Sequence, residues 1–303
     1  MAALAIGVFL PTMAERGGAM TDVAGAARHV EDLGFESAWA IDQLVAGTGV
    51  PIVDSTVALS VAAAATSRIR LAYGVLILPL RPVVWVAKQV ASLQHVSGSR
   101  VLLGVGIGGD RHELSWAAAG VPRRERGRRT DAALAVLPDL IAGRMTDVDG
   151  TAVQLAPGTA VPPIIVGGTA PASLARAATR GDGWFAMPAP AAQIATTAEQ
   201  LIALAVDQGR PAPAITGSVP VAVDGDHALP DPDRLMRRLT DPDGMFAMPA
   251  DAVGDVVVMG GPPAVAERIS AVHAAGAERV VVSIVAGNWY RQAELIARAV
   301  ALL

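Results

Sequence analysis

The 303-residue chain contains no cysteine. Disulfides, thiolate zinc sites and a cysteine nucleophile are therefore excluded, although the compartment stays open. Concentrated charge is also missing. The net charge is −4 and charged residues make up 17% of the chain. With the charges dispersed, neither nucleic acid nor an anionic membrane is an expected partner. No group of side chains has metal-ligand spacing, so no metal is expected. Residues 1–20 lack the basic start of a signal peptide, and Pro11, Glu15 and Arg16 interrupt the apolar run. The longest uncharged tract, 151–175, holds Pro157, Pro162, Pro163 and Pro171, which argue against a spanning helix. Strong internal repeats and low-complexity linkers are absent too. A soluble cytoplasmic protein is the expectation.

What the chain does have is apolar sequence, 52% of the total, enough for a large core. The most informative stretch runs from Arg68 to Asp110. Ile69 to Leu78 is almost continuously apolar, as in a parallel strand buried on both faces. Pro82 suits the first turn of a helix, and Val83, Val86, Ala87, Val90 and Leu93 recur at helical period. Gly98 ends that helix and a second strand starts at Val101. That is one βαβ unit.

The same alternation continues along the chain. Strands are expected at Leu4 to Leu10, Glu36 to Asp42, Pro162 to Gly168, Asp182 to Met187, Ala214 to Val223 and Arg279 to Ile284. Helices are expected from an N-cap at Thr21, then over Asp54 to Ala65, Thr130 to Ala142, Pro171 to Arg180, Ala191 to Gln208, Pro262 to Ala275 and Trp289 to Leu303. Residues 224–261, broken by DG, DP and GG pairs, read as an insertion between the seventh strand and its helix, with room for short helices. Eight βα units in one chain of 303 residues imply a single α/β domain, a (β/α)8 TIM barrel, rather than two doubly wound domains.

In such a barrel the site lies at the carboxyl ends of the strands. Gly167, Gly168 and Thr169 follow the fifth strand and open a helix, where glycines and free N–H groups favour a phosphate. An ordinary tight turn is the plainer alternative. Gly104, Gly106 and Gly109 fit G-x-G-x-x-G, but helical sequence continues to Gly143, whereas the dinucleotide fingerprint opens a unit of about 30 residues. Room at a barrel mouth explains these glycines better. Asp42 ends a buried strand, where a carboxylate needs a partner or a cavity. It either orients a ligand or caps the next loop. His112 and Glu113 follow the fourth strand within reach of the mouth; a solvated histidine at a helix start is the simpler reading of His112. Arg123, Arg124, Arg126, Arg128 and Arg129 read as a solvated, partly paired face. Trp39, Trp85, Trp116 and Trp184 suit either pocket or core.

Several of these stretches together resemble the bacterial-luciferase-like superfamily of flavin and deazaflavin (F420) oxidoreductases. The resemblance rests on RIRLAYGVLILPLRPVVWVAKQVASLQHVSGSRVLLGVGIGGDRHEL, GFESAWAIDQL, GVPRRERGRRTDAALAVL, PPIIVGGTAPASLARAATRGDGWFAM and GPPAVAERISAVHAAGAERVVVS. It implies a barrel that holds coenzyme F420 or, alternatively, FMN, with a non-prolyl cis bond at Gly74–Val75 bulging behind the ring. It further implies that Gly106 borders the ring, that Gly167, Gly168 and Thr169 hold the cofactor phosphate, and that Asp42 faces its polar edge. Similar deazaflavin enzymes often carry Asp-His at the end of the second strand. Here the pair is Asp42–Gln43, and glutamine cannot shuttle a proton near neutral pH. Gln43, His112 and Glu113 are the catalytic candidates. The implied activity is hydride transfer to or from a small organic substrate. The FMN alternative is a monooxygenase served by a separate reductase, and a non-catalytic flavin-binding protein is the third reading. A homodimer is common among similar proteins.

Overall fold

The computed structural model describes residues 4–46, 49–109, 113–242, 246 and 248–303. The strands are β1 (Ala5–Phe9), β2 (Ser37–Ala40), β3 (Arg70–Tyr73), its short continuation β4 (Leu76–Ile77), β5 (Val101–Gly106), β6 (Thr146–Val148), β7 (Thr151–Val153), β8 (Ile164–Gly167), β9 (Gly183–Phe185), β10 (Ala214–Val223), β11 (Val258–Gly260) and β12 (Arg279–Ile284). Pairing runs β1–β2–β3–β5–β8–β9–β10–β12 and back to β1, all parallel, so eight strands close a barrel as expected. β6 and β7 form a separate antiparallel hairpin.

Side chains alternate across the barrel wall, as the period of a strand requires. Phe9, Trp39, Ala72, Leu102, Ile165, Phe185 and Val281 point inward and pack on one another. Their neighbours Val8, Ala38, Leu71, Leu103, Val166 and Val282 point outward onto the helices. This double burial is why the strands read as unbroken apolar runs.

The helices are α1 (Val23–Asp32), α2 (Ser55–Ala65), α3 (Val83–Ser97), α4 (Glu113–Ala118), α5 (Arg126–Ile141), α6 (Pro171–Arg180), α7 (Ala191–Asp207), α8 (Pro232–Thr240), α9 (Ala250–Val256), α10 (Pro262–Ala274) and α11 (Trp289–Val300). The N-cap of α1 is Asp22, which accepts from the Ala24 N–H at 3.0 Å, and not Thr21. A carboxylate is at least as good an acceptor as a hydroxyl at that position. α5 starts four residues earlier than its apolar period suggests, because a short 3-10 turn at Arg123–Glu125 leads directly into it. Gly98 closes α3 with φ 69°, a left-handed conformation that glycine takes at no steric cost.

The 224–261 insertion contains α8, α9 and β11, and β11 adds to the far end of β10. Leu235, Leu239, Val253 and Val257 pack on Ala222, Val285 and Ala286 as a small core of their own. The insertion is thereby seated over the ends of β10 and β12.

Two carboxylates brace the opposite, amino-terminal end. Glu31 accepts the N–H groups of Ser67, Arg68 and Ile69 at 3.1, 2.7 and 2.8 Å. Glu36 takes both arms of Arg279 at 3.0 and 2.9 Å, joining β2 to β12. Burial pushes both carboxyls up. The three N–H groups at Glu31, and the Arg279 hydrogen bond and charge at Glu36, outweigh it and hold both below the usual 4.5. A depressed folded-state value gives stability that is present above about pH 4.5 and lost as the pH falls through that lower value. Thermal melts should therefore show the unfolding midpoint dropping below that pH, with a shallower drop in Glu31→Ala. An unchanged slope in the variant would remove Glu31 from this account.

Candidate active site

At the carboxyl ends of the strands lies a cavity of about 780 Å³, within the range of ligand pockets. Its floor is aromatic. Phe9 and Phe185 line it, and Trp39 sits just beneath, with ring centroids 6.2 Å (Phe9–Trp39), 5.4 Å (Trp39–Phe185) and 6.4 Å (Phe9–Phe185) apart. The strand expected over Ile69 to Leu78 is interrupted above this floor. β3 ends at Tyr73, the Gly74–Val75 peptide is cis, and the chain resumes as β4 beside β5. A side chain at Gly74 would put its Cβ 2.5 Å from Phe9 and 3.0 Å from Trp39.

The glycine run around β5 has a spatial explanation. A Cβ at Gly104 would stand 2.0 Å from the Tyr73 carbonyl, and one at Gly106 would stand 2.7 Å from Val75 Cγ2. At Gly167, across the gap to β8, the distance to Val75 is 3.2 Å. These glycines make room for the bulge and for Val75, whereas a Cβ at Gly109 would meet nothing within 4 Å. The run is a spacer, not a dinucleotide fingerprint.

Asp42 borders the cavity, yet its fully buried carboxylate is already engaged. Oδ2 accepts the Ile77 N–H at 2.8 Å and Arg81 at 2.7 Å; Oδ1 accepts Arg81 at 2.8 Å and the Ser55 hydroxyl at 2.9 Å. Asp42, expected to face a cofactor's polar edge, thus spends its carboxylate on clamping β4 behind the bulge. Burial lowers the Arg81 pKa, but the Asp42 hydrogen bond and charge, with Asp54 behind them, more than reverse this and hold it above its ordinary value. Nearby, burial raises the Tyr73 phenol, so it stays neutral while donating to Thr56 at 3.2 Å.

Gly167, Gly168, Thr169 and Ala170 form the opposite wall, just ahead of α6. Gly168 has φ +112°, and its carbonyl accepts the Trp184 indole N–H at 2.9 Å from the outer layer. Ser173 in the first turn of α6 also borders the cavity, so the hydroxyls of Thr169 and Ser173 flank a helix start. That combination suits an anion.

Gln43, Gly74, Val75 and Gly106 border the same cavity. Glu113 is not among the lining residues: at the start of α4 its side chain is 72% exposed and lies 3.8 Å from Arg123. His112 lies outside the described residues. Arg128 and Arg129 pair with Glu125, so this arginine cluster is the solvated face expected. Trp85 is 66% exposed, while Trp116 and Trp184 are buried in packing. The tryptophan that does border the cavity is Trp289, at the start of the last helix, with its indole N–H on the Phe9 carbonyl at 3.1 Å. Sequence reasoning also missed Ser218 and Pro220 of β10, and Arg238, Phe246 and Met248 from the insertion. Among the described lining residues only Asp42 and Arg238 are ionisable. Among the described residues no cluster could hold a metal, and no helix is long and apolar enough to cross a membrane.

Comparison with known proteins bears on the family and the fold. The family model for luciferase-like monooxygenases matches residues 4–279. An uncharacterized Mycobacterium tuberculosis protein is 37% identical over 144 residues, 45% of this chain and 49% of that protein. The 4-hydroxyprotoasukamycin monooxygenase of Streptomyces nodosus subsp. asukaensis is 32% identical over 126 residues, 40% of this chain and 33% of that protein. These matches thus span half or less of the curated relatives' length. A solved F420-dependent secondary alcohol dehydrogenase, in complex with an F420–acetone adduct, superposes over 98% of both chains with TM-score 0.80 at 16% identity, a likeness of fold.

Proposed function

Because the chain belongs to the luciferase-like monooxygenase family, we propose that it is an F420-dependent oxidoreductase acting on a small organic substrate. The observation that carries this reading is the shelf of Gly74, Val75, Gly106 and Gly167, where a Cβ added at any of the three glycines would crowd Phe9 or Val75. A flat tricyclic ring needs an apolar surface of this kind, free of projecting side chains. The family and the fold likeness to the F420-dependent alcohol dehydrogenase support a deazaflavin or flavin cofactor.

The residues present fit such a group. Gly74 and Val75 back the ring, Gly106 leaves the room that Val75 needs to do so, and Asp42 fixes the shelf through the Ile77 N–H. Gly167, Gly168 and Thr169, with Ser173, hold the phosphate at the start of α6. When bound, the deazaflavin gives or takes the hydride. The protein positions the partners and keeps water out with Ile107, Met187, Met248 and Trp289. Gln43 acts as a hydrogen-bonding group toward the substrate and carries no proton of its own to the reaction.

The second reading, an FMN-dependent monooxygenase with a separate reductase, is favoured by the 32% identity to a Streptomyces monooxygenase and by the apolar wall. Titrating the purified protein with F420 and with FMN, followed by calorimetry, separates the two. F420 is expected to bind at least about tenfold more tightly, a difference of about 1.4 kcal/mol. The reverse order would replace the first reading with the second. Binding of neither would refute the phosphate site at Gly167 to Thr169.

A further inference from the structure

Arg238 is the one cation among the described residues that line the cavity. It projects from α8 of the insertion, and its guanidinium lies 6.0 Å from the centroid of the Phe246 ring, which lines the same wall. Its ion-pair partner is Glu15, in the loop after β1. That loop is anchored by an antiparallel bridge between Met13 and Ile52, while Glu15 itself is 62% exposed. Around Arg238 the wall is apolar, with Met13, Phe246, Met248 and Trp289.

Position decides whose anion this cation serves. In the closed ring β8 is four strands from β1 in either direction, so the Gly167–Thr169 turn and the Glu15 loop leave opposite sides of the barrel. Arg238, held to Glu15, thus faces the side of the barrel opposite a phosphate at Gly167 to Thr169. Asp42, the other ionisable lining residue, is taken up by Arg81, Ser55 and Ile77. An ion pair with an exposed carboxylate contributes little, because water and salt screen it. A second carboxylate that arrives with an apolar body to fill the wall can displace it.

We propose that Arg238 is a substrate anchor and that the substrate is an apolar molecule carrying a carboxylate, which exchanges with Glu15. This rests on the oxidoreductase reading above. A cation–π contact with Phe246 leaves the fork of N–H donors of the guanidinium to receive both oxygens.

The test uses matched acid and methyl-ester pairs (cinnamate, octanoate and indole-3-acetate), titrated by calorimetry into cofactor-loaded protein. The proposal expects at least one acid to bind tenfold or more tightly than its ester. Arg238→Gln should erase that ratio and leave the ester unchanged, and Arg238→Lys should keep part of it. Glu15→Gln should tighten the acid several-fold by removing its competitor. If Arg238 and Glu15 only clasp the insertion to the barrel, both variants weaken acid and ester alike, and the proposal falls. No acid preference in any pair, or no binding, also overturns it. Cofactor affinity measured on the same proteins keeps the two claims apart. Its absence in the unmodified protein sinks the oxidoreductase reading, while normal cofactor binding without acid preference sinks only the anchor.

Discussion

Replacing Asp42 with leucine is expected to lower stability by about 3–5 kcal/mol in chemical denaturation, the cost of leaving a buried charge without its partner. The carboxylate accepts four hydrogen bonds, two of them from Arg81, and none of its acceptors faces water. Arg81 keeps only the Asp54 contact at 3.3 Å once Asp42 is gone. Its guanidinium is largely buried beside a phenol that cannot neutralise it. Combining Asp42→Leu with Arg81→Met removes both charges, and the double variant should be more stable than Asp42→Leu alone. That recovery distinguishes a paired-charge cost from loss of packing, which would add. Cofactor affinity should not recover with it. The Ile77 N–H still lacks an acceptor, and β4 is free to shift behind the shelf. Equal costs for the double variant and the summed singles would refute the clamp.

The barrel was legible because each strand is buried on both faces and each helix is bounded by a strong stop. Pro82, Gly98 and Pro171 act within a few residues of themselves, so their meaning survives in the sequence. The β6–β7 hairpin carried a local sign as well: Asp149 and Gly150 have φ 49° and 81°, the pair of positive values a two-residue turn needs. Its strands are three residues long and half of their residues are exposed, so they leave no apolar pattern. The role of Asp42 was hidden for the opposite reason. Its partner Arg81 lies 39 residues away and meets it only when the bulge turns the chain back. Arg238 and Phe246 sit in a segment whose turn pairs allow short helices without fixing where they pack, and Trp289 begins α11 instead of ending a strand. Strand ends can be read from one sequence. Which distant loop folds over them cannot, because that depends on packing such as the small core around Leu235 and Val253.

The two glycines of β5 should fail in different ways. In Gly104→Ala the new methyl would stand 2.0 Å from the Tyr73 carbonyl, a backbone atom held between paired strands. Neither side can move without breaking the β3–β5 pairing, so this variant should lose well over the roughly 1–3 kcal/mol typical of overpacking and yield little folded protein. In Gly106→Ala the obstacle is Val75 Cγ2 at 2.7 Å, the tip of a side chain bordering an open cavity. Val75 can yield, but only into the space the ring would fill. The protein should fold and melt within a few degrees of the original, and cofactor affinity should fall at least about tenfold, or about 1.4 kcal/mol. Val75→Ala placed on top removes the atom that collides. It should restore most of that affinity, although Val75→Ala alone weakens the shelf. Rescue by a second truncation is not expected of a general packing defect. If Gly106→Ala binds cofactor normally, or Val75→Ala worsens it further, the shelf does not hold the ring.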